Sequence, residues 1–129
     1  MAADRRNALT VLRVVCALLA VLPLVRPSPA CAHAFLDHAE PRVGSTVAAP
    51  PTEATLVFTE PIEPAFSRIE VLDSAGRRVD TGSPEHPAPE KLGIKLSGLG
   101  PGTYTVHWAV VSVDTHETEG SFKFTVTGP

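Results

Sequence analysis

The chain has 129 residues, a formal net charge of −3 and two cysteines. This length suits one domain, and the absence of a basic cluster argues against a nucleic-acid partner. From His33 to the end, 7 Lys and Arg stand against 13 Asp and Glu, so this part is more acidic than the whole.

The first 32 residues have the features of an export signal. Three arginines precede an apolar run over 14–25 that is too short to span a bilayer comfortably, and Ala30-Cys31-Ala32 supplies small residues at −3 and −1. We predict cleavage after Ala32, with an uncleaved N-terminal anchor as the alternative. Because Arg5 and Arg6 are adjacent, as in a twin-arginine signal, the export route stays open between that system and the general secretory one.

Cleavage would remove both cysteines and Met1 with the signal. The predicted mature domain, residues 33–129, therefore has no disulfide and depends on its own apolar core. No apolar run after residue 32 is long enough to cross a membrane. We expect a small soluble domain in the periplasm or another extracytoplasmic part of the cell envelope.

The mature part reads as short strands separated by turn signals. Apolar and polar residues alternate over 34–39, 54–59, 68–72, 92–97, 103–110 and 121–127, whereas residues 80–91 are polar and proline-rich and are predicted to form a surface loop. No window has a sustained helical period. About seven strands in roughly 100 residues predict an all-β fold, an antiparallel β-sandwich of immunoglobulin-like shape.

One predicted strand places Tyr104, Val106, Trp108 and Val110 on the same face, with His107 on the opposite one. Tyr104 and Trp108 are therefore predicted to lie in the core. Tyr104 follows a glycine-rich turn, where its hydroxyl can hold the backbone.

Further along the same strand, Ser112, Asp114 and His116 continue the core-facing parity. Side chains at i and i+2 of a strand leave one face about 7 Å apart at Cα, so Asp114 and His116 can converge on one ion. A change from apolar to ionisable residues indicates the end of the sandwich. A β-bulge near Ser112 would break this parity argument.

Cleavage after Ala32 would give His33 an α-amine beside its imidazole, two nitrogens that can chelate a metal in a small ring. Together with His116 and Asp114 they form a mixed nitrogen and oxygen set that suits Cu(II). An α-amine has a pKa of about 7.7–8.0, so binding should release a proton and weaken at acid pH. Zinc is an alternative, and the same residues could instead be a turn cap and solvated histidines.

The mature sequence resembles the CopC family of periplasmic copper-binding proteins over essentially all of residues 33–129. The matching motifs are His33-Ala34 after the cleavage site, 45–51 leading into Leu56-Val57-Phe58-Thr59-Glu60-Pro61, 102–108, and 111–116 followed by Gly120 and 122–126. The resemblance implies a single β-sandwich or Greek-key barrel, cupredoxin-like or immunoglobulin-like, that binds Cu(II) through His33, Asp114 and His116.

Some members of that family also carry a methionine-rich loop that binds Cu(I) at the opposite pole of the domain. The corresponding loop here is taken as 83–89, which holds His86 but no methionine. Because Cu(I) requires soft sulfur ligands, we expect a site for Cu(II) only. His86 and His38 are expected to be solvated surface residues.

These features predict a non-enzymatic, exported protein that buffers Cu(II) or delivers it to a copper transporter of the envelope membrane. One alternative is a copper oxidase with a terminal-histidine brace, which would need an open coordination position for oxygen. The other is a metal-free interaction module whose histidines are incidental.

Overall fold

A computed structural model describes residues 33–129, which form eight β-strands. The predicted signal segment lies outside these described residues, and within them no helix is long and apolar enough to span a membrane. A single 3-10 turn at Pro64–Phe66 precedes the fourth strand. The strands are β1 (Leu36–Glu40), β2 (Thr46–Val47), β3 (Glu53–Phe58), β4 (Arg68–Leu72), β5 (Asp80–Glu85), β6 (Lys91–Leu96), β7 (Gly102–Val111) and β8 (Glu117–Val126).

The strands form two four-stranded sheets, ordered β1-β3-β6-β5 and β2-β8-β7-β4. Neighbouring strands are antiparallel except for β2, which lies parallel to β8. The predicted β-sandwich is confirmed.

Residues at alternate positions in both sheets form the buried core between the sheets. Strands β3, β4, β7 and β8 each contribute in the predicted register, through Ala54, Leu56, Phe58, Ile69, Val71, Tyr104, Val106, Val110, Phe122, Phe124 and Val126. Residues 33–129 thus carry their own core and their own strand pairing, so this part of the chain can fold by itself.

The prediction of a loop over 80–91 was wrong for its first half. Residues 80–85 form β5, an edge strand that pairs with β6 on one side, through Asp80 with Leu96 and Thr81 with Lys95. Its polar residues show no alternation because β5 is almost wholly exposed and buries no face. The pairing of β2 with β8 was also missed, since two residues are too few to show a period.

Tyr104 and Trp108 lie as predicted on the core-facing side of β7. The Tyr104 hydroxyl accepts a hydrogen bond from the Gly100 N–H at 3.1 Å and donates one to the Gly100 carbonyl at 2.8 Å, which fixes the preceding turn. Trp108 is half-buried and meets Phe58 edge-on, with ring centroids 5.2 Å apart.

One end of the sandwich, called the upper pole here, collects the start of β1, the end of β3, the β5–β6 turn and the β7–β8 loop. Leu36 pairs with Phe58, whose N–H donates to the carbonyl of Glu90 at 2.9 Å. Ile62, just after β3, forms an isolated bridge with Ser112, just after β7. The connections at this pole therefore come from both sheets.

Candidate metal site

The loop that joins β7 to β8 spans residues 112–116 and lies at the upper pole. The Ser112 N–H donates to the His116 carbonyl at 2.9 Å, and the Thr115 N–H donates to the Ser112 carbonyl at 2.8 Å. Thr115 takes a left-handed backbone conformation with φ 73°. Asp114 and His116 therefore sit in a tight loop and not on the predicted strand face, because the strand ends once β7 turns back into β8.

The alternate residues of β7 that face the core continue as far as Ser112, and Asp114 and His116 no longer follow this alternation. The Ser112 side chain is buried, and its hydroxyl accepts a hydrogen bond from the His116 N–H at 3.2 Å. Its single proton is donated to the carboxylate of Asp114, a charged acceptor that outcompetes the His116 carbonyl. Ser112 thus holds both candidate ligands of the loop.

The loop brings Asp114 and His116 into direct contact, with Oδ2 of the carboxylate 3.2 Å from Nδ1 of the imidazole. The hydrogen bond from Ser112 lowers the pKa of Asp114; partial burial opposes that lowering, and His116 adds to it. The carboxyl group of Asp114 is therefore ionised over the physiological pH range, as an oxygen ligand must be.

His33 lies just before β1 and contacts this loop. Its ring and that of His116 meet at a centroid distance of 4.7 Å and an interplanar angle of 71°. The backbone next to His33 is held by Thr118, whose hydroxyl donates to the Ala34 carbonyl at 2.7 Å. The structure thus brings together the three predicted site residues, although His33 is far from Asp114 and His116 in the sequence.

The spacing of these donors is close to what one ion requires. Ligand atoms at bond lengths of about 2.0–2.1 Å and at right angles are about 2.9 Å apart. Nδ1 of His116 and Oδ2 of Asp114 are separated by 3.2 Å, so both can bind one ion after a small adjustment.

The ring of His33 contacts the ring of His116, and Nδ1 of His116 contacts the carboxylate of Asp114. Within residues 33–129, no three His, Cys, Asp or Glu side chains converge in a ready-made metal geometry. A complete ligand set at this place therefore needs either a side-chain rotation or the backbone nitrogen of His33, which becomes an amine only after cleavage.

The remaining histidines lie apart from this loop. His38 is exposed and contacts Asp37 at 2.7 Å, and His107 is exposed on the outer face of β7, both as predicted. His86 differs from the prediction, since it is half-buried and its Nδ1 has no hydrogen-bond partner among residues 33–129. The turn that follows it lies at the upper pole and not at the opposite one, because the Ile62 N–H donates to the Pro89 carbonyl at 2.9 Å.

Three hydroxyl side chains that organise the site were not predicted as functional. Ser112 left a signal, because a polar residue at a core-facing position indicates a specific hydrogen-bonding role. Nothing in the sequence indicates Thr59 and Thr118, because threonine is common in strands. Both bond to the segment just after residue 32, which is far from them in the sequence.

Comparison with known proteins agrees with this fold. The CopC domain profile matches residues 36–127. Protein YobA of Escherichia coli K12 is 39% identical over 106 residues, which cover 80% of this chain and 85% of that protein. Copper resistance protein C of Xanthomonas campestris pv. juglandis is 35% identical over 109 residues, covering 75% of this chain and 82% of that one.

A solved structure also has a similar fold. The crystal structure of CopC from Methylosinus trichosporium OB3b superposes with a TM-score of 0.69 at 38% sequence identity, covering 74% of this chain and 95% of that chain. The profile match and the relatives above one-third identity together assign the family, and this chain belongs to the CopC family.

Proposed function

We propose that this protein is an exported copper carrier or buffer that binds one Cu(II) through His33, Asp114 and His116. The observation that carries the proposal is the meeting of His33 with the Asp114–His116 pair at one pole. The name of the Xanthomonas relative, a copper resistance protein, supports copper as the ion. Cleavage after Ala32 is part of the proposal, because it creates the α-amine that completes the set.

The ligand types favour Cu(II) over Cu(I). Residues 33–129 contain no cysteine and no methionine, so no sulfur ligand is at hand. Imidazole, amine and carboxylate in a planar arrangement match the preference of Cu(II), which also binds such sites more tightly than its first-row divalent neighbours do.

We propose binding and delivery, not catalysis. Oxygen activation at copper requires an open coordination position, and the carboxylate of Asp114 lies beside His116 where it would fill one. The site is exposed at the pole, since both Asp114 and His116 are solvent-accessible. An exposed site suits transfer of the ion to a second protein, and a copper transporter of the envelope membrane is the proposed recipient.

The proposal is tested by competitive Cu(II) titration of residues 33–129 at pH 8 and pH 6. We expect one equivalent of Cu(II) at both values and an affinity at least roughly 30-fold weaker at pH 6. The α-amine, with a pKa of about 7.7–8.0, is largely protonated at the lower pH and must lose its proton to bind.

The competitor's own pH dependence is measured in parallel and subtracted. Binding of equal strength at the two pH values would contradict ligation by the amine. Binding of less than one equivalent would contradict the copper-carrier proposal as a whole.

A further inference from the structure

Thr118 links the two sheets at the upper pole. It is the second residue of β8, it pairs with the buried Val110, and it is itself half-buried. Its hydroxyl donates a hydrogen bond to the carbonyl of Ala34 at 2.7 Å. Ala34 precedes β1, which belongs to the opposite sheet.

This hydrogen bond connects the two histidine-bearing segments over a short path. Thr118 is two residues from His116, and Ala34 follows His33 directly. The Ala34 side chain is 0% exposed, so its methyl group anchors the segment in the core. A larger side chain would find no space there, which gives the small residue after His33 a packing reason.

Thr59 supplies a second tether on the same segment. Its N–H donates to the Phe35 carbonyl at 2.8 Å, and its hydroxyl accepts from the Phe35 N–H at 3.0 Å. Thr59 directly follows β3, so it secures the segment to its own sheet. The Thr59 hydroxyl also donates to the His33 carbonyl at 3.3 Å, and Thr118 secures the segment to β8, the strand that follows His116.

We propose that Thr118 is a positioning residue that sets the copper affinity of the site by fixing His33 against His116, without touching the ion. The inference rests on the proposed function, in which His33 is a ligand. A residue at a chain terminus frays unless its backbone is held, and binding an ion with a frayed ligand requires that ligand to be ordered first.

The test compares Thr118→Val, which keeps the branched shape and removes the donor, with Thr118→Ser, which keeps the hydroxyl. In residues 33–129 we expect Thr118→Val to weaken Cu(II) binding about tenfold, equivalent to about 1.4 kcal/mol. Thr118→Ser should stay within threefold of the parent. Thr103→Val is the matched control, because the Thr103 hydroxyl contacts Thr125 at 3.2 Å at the other end of β7.

A metal-free measurement accompanies the titration. In the apoprotein we expect Thr118→Val to accelerate hydrogen exchange of the Thr59 amide, which bonds to the tethered segment, at least fivefold. Thr103→Val should leave that exchange rate unchanged.

The same substitution is then made in a background that removes both candidate nitrogen ligands of His33, through His33→Ala together with one extra residue before position 33, which forms a double-mutant cycle. If Thr118 acts through His33, Thr118→Val should weaken binding less than twofold in that background. An equal loss in both backgrounds would overturn the inference, because Thr118 would then act through His116 or the fold.

The cycle also separates this inference from the function on which it rests. If removing both nitrogen ligands of His33 weakens copper binding while Thr118→Val does not, the positioning role is wrong and the copper site stands. If removing them leaves binding unchanged, the proposed ligand set itself is wrong.

Discussion

The His116→Ala variant of residues 33–129 should bind Cu(II) at least 100-fold more weakly than the parent domain. His116 contacts both other candidate ligands, through its ring to His33 and through Nδ1 to Asp114. Removing a residue that only supports a metal ligand typically costs 10–100-fold in affinity, so removing a ligand should cost no less. The measurement is competition against a chelator of known affinity at pH 7.5.

His107→Ala is the control for this variant, because His107 is an exposed histidine of the same strand pair and makes no contact with the site loop. It should bind within twofold of the parent. A His116→Ala affinity within threefold of the parent would mean that copper, if bound, is held elsewhere on the domain.

The Gly120→Ala variant should lower the free energy of unfolding by about 1–3 kcal/mol, the range for an added methyl group in a well-packed site. Gly120 lies directly opposite Trp108 in the β7–β8 pair. A Cβ at this position would sit 2.7 Å from Cζ2 and 3.0 Å from Cε2 of the indole. The indole also packs edge-on against Phe58, with ring centroids 5.2 Å apart, so a shift of the ring to relieve the clash changes that contact.

Urea unfolding followed by the fluorescence of Trp108, the only tryptophan, measures this effect. Gly100→Ala is the matched control, since a Cβ there would meet nothing within 4 Å. An unfolding free energy of Gly120→Ala equal to that of the parent would show that the indole does not lie over Gly120 as the structure has it.

The fold followed from the sequence wherever a strand buries one face. In β3 and β4 the alternating apolar residues Ala54, Leu56, Ile69 and Val71 give both the strands and the core. Strand β5 could not be found this way. It pairs at the edge of the sheet without burying a face, so its sequence does not need to alternate apolar and polar residues.

The closeness of the three candidate residues was predicted, but the local structure that holds two of them was not. His33, Asp114 and His116 do meet, yet the last two lie in a loop, because a two-residue repeat cannot show where a hairpin turns. The threonine contacts to the segment just after residue 32 depend on pairing between distant parts of the chain, which a single sequence does not show.

The position of His86 shows the same limit. Its turn was expected at the opposite pole, but strand direction in the first sheet places it at the same pole as the site loop. Which end of a sandwich a loop occupies depends on how many strands precede it. The expected position came from the resemblance, and β5, the strand that carries the chain back to the upper pole, was not among the predicted strands.

The central claim is that the backbone nitrogen of His33, exposed as an amine by cleavage, binds Cu(II). The most direct test is Cu(II) electron paramagnetic resonance of residues 33–129 beside the same domain with one extra residue before His33. We predict a single tetragonal signal for the native terminus and a changed signal, with weaker binding, for the extended one. Identical spectra from the two proteins would contradict ligation by the amine and, with it, the site proposed here.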